Sequence, residues 1–133
     1  MNENSIKSFE DLECWKACRE SRKYVSLILK KFPEFEKYAL TDNMRRASRS
    51  ITENIAEGYG RYHYQENIQF CRISRGSIYE LMDQFITASD EKYITKDEYQ
   101  KGRDLLDRSK GILNGYIKYL QQAKKRKDNE EKG

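Results

Sequence analysis

At 133 residues the chain is long enough for one domain and too short for two ordinary ones. Hydrophobic residues make up 37% and charged residues 36%. That lean balance suits a helical bundle, in which each helix needs only an apolar stripe. The net charge of +4 is too small for a nucleic-acid-binding field over the whole surface, and leaves room only for a local basic patch. Half of that net charge, 5 − 3 = +2, sits in the last ten residues, where Lys124, Lys125, Arg126, Lys127 and Lys132 outweigh Asp128, Glu130 and Glu131.

A single proline, Pro33, and a pervasive helical period argue against a mostly strand fold. Ser8-Phe9-Glu10-Asp11 opens a first helix, with Ser8 as N-cap and acids in the first turn. Leu12, Trp15, Cys18, Val25, Leu29 and Phe32 form its stripe, interrupted at Arg22, and Pro33 ends it. Thr41-Asp42 starts a second helix with Met44, Ala47, Ser48, Ile51 and Ile55 inward, ending at Gly58 or Gly60. A third runs from about Tyr64 to about Ser89, with Cys71, Ser74, Ile78, Leu81, Met82 and Phe85 on one face. Thr95-Lys96-Asp97-Glu98 reads as a capping box opening the fourth, which aligns Gly102, Leu106, Ser109, Leu113, Ile117 and Leu120.

Four helices with short links predict an all-α, antiparallel up-down-up-down four-helix bundle over residues 8–123. Residues 1–7 are expected to be a flexible N-terminus and residues 124–133 a charged, flexible tail. Gly76 and Gly102 each cost about 1 kcal/mol inside a helix relative to alanine, so close helix approach is expected at both, within the bundle or between subunits. The third helix carries a second stripe, Ile68, Arg72, Arg75, Tyr79 and Ile86, of the mixed apolar and arginine character found at interfaces. Leu105, Ile112 and Tyr119 recur beside the main stripe of the fourth. Self-association is expected from these flanks; the alternative is a wide core edge covered by arginine stems.

Arg45, Arg46, Arg49, Arg61, Arg72 and Arg75 fall in two helices and the loop between them, with Tyr59, Tyr62, His63 and Tyr64 interleaved around Arg61. Guanidinium forks hold phosphates and aromatic faces stack unpaired bases. These six arginines are therefore the candidate nucleic-acid-binding residues, against the alternative of a solvated face paired with Glu53, Glu57 and Glu66. Asn54 and Glu57 are expected to fix the end of the second helix and the Gly58–Gly60 turn.

No catalytic residue, metal ligand or cofactor site is expected. The chain has one histidine, no recognisable acid/base pair, no phosphate-binding glycine loop and no nucleophile elbow. Cys14 and Cys18 have metal-compatible spacing, but the remaining soft ligands, Cys71 and His63, lie far away in sequence, so the cysteines read as small core residues. No apolar run of signal or membrane-span length occurs. A cytoplasmic protein with reduced thiols is expected.

Phe9-Glu10-Asp11-Leu12 with Trp15, Met44-Arg45-Arg46-Ala47 with Ser50-Ile51, Asn54-Ile55-Ala56-Glu57-Gly58 and Arg75-Gly76-Ser77 with Glu80-Leu81 together resemble the four-helix-bundle family of 23S rRNA intervening-sequence proteins, also called S23 ribosomal proteins. The resemblance runs from about Phe9 to about Leu120. It implies a homopentameric ring and no known catalytic activity. Relatives include accessory proteins of diversity-generating retroelements that bind nucleic acid and a reverse transcriptase. RNA or DNA, the chain itself and a protein such as a reverse transcriptase are the partners it implies.

Overall fold

A computed structural model gives the structure of the protein over residues 5–132. Four helices, α1 (Glu13–Leu29), α2 (Leu40–Gly60), α3 (Tyr64–Asp90) and α4 (Lys96–Lys132), make up nearly all of it, with short 3-10 turns at Phe9–Asp11 and Glu34–Glu36. Among the described residues there is no strand. Each helix packs against two neighbours, in the cycle α1–α2–α3–α4–α1.

Cross-links between helices fix the directions. Ser50 meets Ser77 at 2.9 Å, and the Ser74 hydroxyl donates to the Ile51 carbonyl at 2.7 Å. Farther along α2, Gly58 lies against Asn67 near the start of α3. On the other side of α3, Phe85 faces Gly102 and Asn67 bonds to Tyr116. Residue numbers rise on one helix as they fall on the next, so both pairs are antiparallel, as the short links require.

The predicted inner stripes of α2, α3 and α4 are in the observed core, whereas in the first stripe Trp15 and Phe32 stay half-buried and Cys14, Ala17, Ser21, Tyr24 and Ile28 complete the buried face of α1. Met44, Ile51, Ile55, Cys71, Ile78, Leu81, Phe85, Leu106 and Leu113 are almost wholly buried. Apolar residues at three- and four-residue steps fall on one side of a helix, and burying that side is the main stabilising term. Small polar residues sit among them: Ser21 of α1 and Ser109 of α4 are buried and share a 2.8 Å hydrogen bond. Cys14, Cys18 and Cys71 are buried free thiols. Burial pushes the Cys18 and Cys71 thiols up to about 12, which keeps them protonated and apolar in character.

Several boundaries differ from expectation. Ser8 does cap, but it caps the 3-10 turn: its hydroxyl accepts from the Glu10 N–H, and its own N–H donates to Asp11 Oδ2 at 3.1 Å. Leu12 then adopts an extended conformation with its side chain buried, and α1 begins only at Glu13. The chain breaks there so that Leu12 can enter the core while Phe9 packs edge-on against Trp15 at 5.3 Å. At the other end α1 stops at Leu29 rather than Phe32. Pro33 disfavours helix just before it, and the strain is absorbed over a full turn.

The second helix ends with Gly60, as expected, but no glycine takes the left-handed conformation that follows many helices. Tyr62 takes it instead, at φ 61°. Gly58 serves close approach: a β-carbon there would lie 2.7 Å from Asn67 Oδ1 and 3.0 Å from Phe70 Cβ. The predicted capping box at α4 is present, with Glu98 N–H donating to Thr95 Oγ1 at 3.1 Å and Thr95 N–H to Glu98 Oε1 at 2.8 Å.

The two ends of the domain also differ. Of the N-terminal segment expected to be flexible, residues 1–4 lie outside the described residues, while the Lys7 N–H is held by Asp11 Oδ2 at 2.9 Å. Residue 133 is likewise outside them. Ala123 is the last buried residue of α4. The helix continues from there to Lys132 through the charged segment, with Lys124 paired to Asp128 at 3.0 Å. Opposite charges one helical turn apart support such an extension.

Candidate nucleic-acid interface

The six candidate arginines do not form one patch. A helix turns by 100° per residue, so neighbours in sequence diverge around the axis. On α2, Arg45 and Arg49 are one turn apart on the flank turned to α1. That flank is fixed by Thr52, whose hydroxyl accepts from Arg22 of α1 at 2.8 Å. The Ser48 and Thr52 hydroxyls bond back to the carbonyls of Arg45 and Arg49, keeping these polar side chains satisfied within the helix. Arg49 is exposed and Arg45 half-buried; neither has an ion pair among the described residues. Arg22, Arg45 and Arg49 thus bring three guanidinium groups to the α1–α2 seam.

Arg46 lies on the other flank of α2, paired to Asp42 at 3.2 Å and bonded to Asn43. It borders a small cleft of about 240 Å³ with Ser50, Ser77 and Glu80 at the α2–α3 seam. Arg61, at the end of α2, is engaged three ways. It pairs with Glu57 at 3.0 Å and Glu66 at 3.8 Å, and its guanidinium lies 5.1 Å from the centre of the Phe70 ring. Arg75 reaches across to α4, donating to Asn114 Oδ1 at 2.9 Å. Arg72 is exposed and carries no ion pair among the described residues. Arg72 and Arg75 therefore border the α3–α4 seam, on the side of the bundle opposite Arg45 and Arg49.

Arg22 was not among the candidates. Its signal in the sequence was the interruption of the α1 stripe: a charged residue at the stripe's edge with its head group reaching a partner helix. Only the packing of α1 on α2 shows that this head group reaches Thr52, on the flank of α2 that carries Arg45 and Arg49.

The second stripe of α3 is also split. Ile68 is buried in the core cluster with Tyr116 and Leu120, because α4 runs on past Tyr116 and covers this end of α3. Tyr79 and Ile86 stay 54% and 42% exposed, and Ile73, on the opposite flank, 52%. Leu105, Ile112 and Tyr119 pack half-buried against the core. Gly76, expected at a close helix contact, has only open space where a β-carbon would stand.

Asn54 does not hold the Gly58–Gly60 turn. It is half-buried, and its amide donates to the Ser50 carbonyl and hydroxyl at 2.9 Å each, within its own helix. Glu57 is exposed and pairs with Arg61. Among the described residues no group of three or more His, Cys, Asp or Glu side chains is placed to hold a metal ion. No helix among them is long and apolar enough to cross a membrane.

Residues 10–115 match the family model of the 23S rRNA-intervening sequence protein. The chain belongs to that family. Its fold is similar to the crystal structure of a protein of unknown function from the S23 ribosomal protein family of Bacteroides thetaiotaomicron. The two superpose with a TM-score of 0.73 at 18% sequence identity, over 79% of this chain and 95% of that one. No curated protein matches the chain. The intervening-sequence family member thus shares the architecture of the S23 structure, and its surface chemistry must be argued from its own residues.

Proposed function

We propose that this protein is a non-enzymatic, self-associating cytoplasmic protein that binds structured RNA, or an RNA–DNA intermediate, through arginine contacts to phosphates. The observation that carries this reading is the α1–α2 seam, which Arg22, Arg45 and Arg49 line at successive levels and where neither Arg45 nor Arg49 is neutralised by a carboxylate among the described residues. Planar guanidinium groups suit phosphate oxygens geometrically as well as electrostatically. Arg72 adds an unpaired cation on the opposite side. Arg46, Arg61 and Arg75 have partners on the protein, but exposed pairs are worth only about 0–1 kcal/mol, so a phosphate can replace them.

Few contacts per subunit make assembly important. Ile73, Tyr79 and Ile86 expose apolar surface on α3, which suits a subunit interface; the family resemblance suggests five subunits. Repeating a weak basic seam around a ring raises avidity for an RNA that spans several copies. The family's naming after an rRNA intervening sequence is in keeping with an RNA ligand.

The double charge reversal Arg45→Glu/Arg49→Glu tests this. The oligomer should keep its mass and lose structured RNA. Unchanged RNA affinity with an intact oligomer would refute the arginine seam. It would favour a second reading, a scaffold or accessory subunit that docks a protein such as a reverse transcriptase on the exposed α3 side chains.

A further inference from the structure

The least explained part of the molecule is a cleft at one end of the bundle, bounded by the residues before α1, the α2–α3 link and α4. It has two lobes, of about 560 and 270 Å³, which share Ile6, Leu12, Tyr116 and Tyr119. The first is of the size that takes small organic ligands. The second is walled by Tyr59, Tyr62 and Tyr64 in addition. Five phenol rings from three helices and a link thus face one hollow.

Two features set this hollow apart from a packing defect. Tyr116 is 8% exposed, lines both lobes and accepts a hydrogen bond from the Asn67 amide at 3.0 Å. Burial pushes its phenol well above the ordinary value, so it remains an O–H donor. Tyr62 is the second feature. Its backbone is left-handed, at φ 61°, and its ring is 87% exposed. This is the left-handed position that follows a helix, held by Lys92 after α3 as well, and here it leaves the Tyr62 ring at the smaller lobe.

The rim carries both signs of charge, Asp11 and Glu13 against Lys16. Asp11 accepts from the N–H groups of Lys7 and Ser8, and Glu13 is paired with Lys16 at 3.4 Å. His63 lines the smaller lobe, and Arg61 lies two residues before it in the same link.

We propose that this cleft takes an unpaired nucleobase of the bound RNA, stacked on the tyrosines and held at its edge by the Tyr116 hydroxyl. Flat aromatic walls favour a planar aromatic guest, and the Tyr116 O–H can donate to a base carbonyl or ring nitrogen. The proposal rests on the RNA-binding reading above and narrows it: the protein discriminates RNA with unpaired bases from continuous duplex.

The test uses the full-length protein and a short single-stranded RNA with one central 2-aminopurine, compared with the same strand in a duplex. On binding, the fluorescence of the unpaired 2-aminopurine should fall several-fold, and that of the paired one should not. Tyr119→Leu and Tyr62→Leu should each weaken single-strand binding by about tenfold, the worth of one base–aromatic stack, and leave duplex binding unchanged. Tyr116→Phe keeps the ring and should still lose several-fold, with helical circular dichroism checking that each variant is folded. Binding of single strands with unchanged 2-aminopurine fluorescence, and with folded variants equal to wild type, would overturn the cleft while leaving the arginine seam standing. Failure of both RNAs to bind at low salt would instead overturn the RNA reading, and the cleft proposal with it.

Discussion

The Phe85 ring occupies the space where a side chain on Gly102 would begin. A β-carbon at Gly102 would lie 2.6 Å from Phe85 Cζ, closer than packed atoms allow. This contact lets α3 and α4 approach at the level where Tyr24 of α1 also stacks on Phe85, with ring centres 6.5 Å apart. Gly102→Ala should therefore lower stability despite alanine's better helix propensity. Overpacking a core typically costs about 1–3 kcal/mol, against about 1 kcal/mol gained in the helix. Gly76→Ala, which meets open space, should gain up to about 1 kcal/mol from propensity alone. Urea midpoints of the two variants should move in opposite directions. A stabilised Gly102→Ala would show that the helices are not held at this separation.

The Ser21–Ser109 pair makes a second prediction. Both hydroxyls are buried and bonded to each other across α1 and α4. Ser109→Ala leaves Ser21 without that partner and should cost about 1–3 kcal/mol. The double variant Ser21→Ala/Ser109→Ala should cost less than the sum of the two single changes, because it leaves no orphan. Denaturant unfolding of all four proteins gives the coupling directly. Strict additivity would mean that the hydrogen bond has no net role.

Glu98 links stability to pH. It closes the capping box of α4 and also pairs with Lys31. The Lys31 hydrogen bond, followed by the Thr95 N–H, holds its carboxyl below the ordinary value of 4.5. A depressed carboxyl contributes stability that is present above its unfolded value and is lost as pH falls through its lower folded value. At pH 7, Glu98→Gln should lose about 0.5–1 kcal/mol, since the pair is partly exposed. Melting curves of wild type and variant should converge below the carboxylate range. A gap that persists unchanged at pH 2–3 would place the effect elsewhere.

The fold was legible because its determinants are local and periodic. The stripes Met44–Ile55, Cys71–Phe85 and Leu106–Leu120 each specify one buried face, and Thr95 with Glu98 specifies a helix start within four residues. What local reading missed came from packing between elements. Leu12 leaves the helix because the core needs its side chain, and Ile68 is buried because α4 extends beyond the point where its stripe alone would cover α3. The arginines show the limit most plainly. Arg45, Arg46 and Arg49 look like one cluster in sequence, yet rotation about α2 sends Arg46 to the α3 side. Arg22, which broke a stripe, reaches Thr52 on the flank of α2 that carries the other two. The tyrosines behave alike: Tyr116 and Tyr119 meet Tyr59, Tyr62 and Tyr64 only after the chain has folded back three times.

The central claim is phosphate-led RNA binding by an assembled protein. The most direct measurement is the light-scattering mass of the full-length protein with a labelled structured RNA across a salt series. The account predicts an oligomer larger than the 15.9 kDa chain that takes up RNA at low salt and sheds it at high salt. The logarithm of affinity should fall linearly with the logarithm of salt, by about 0.9 per duplex phosphate contacted. Arg45→Glu/Arg49→Glu should flatten that slope. A monomer, or an oligomer whose RNA binding is absent or insensitive to salt, would contradict it.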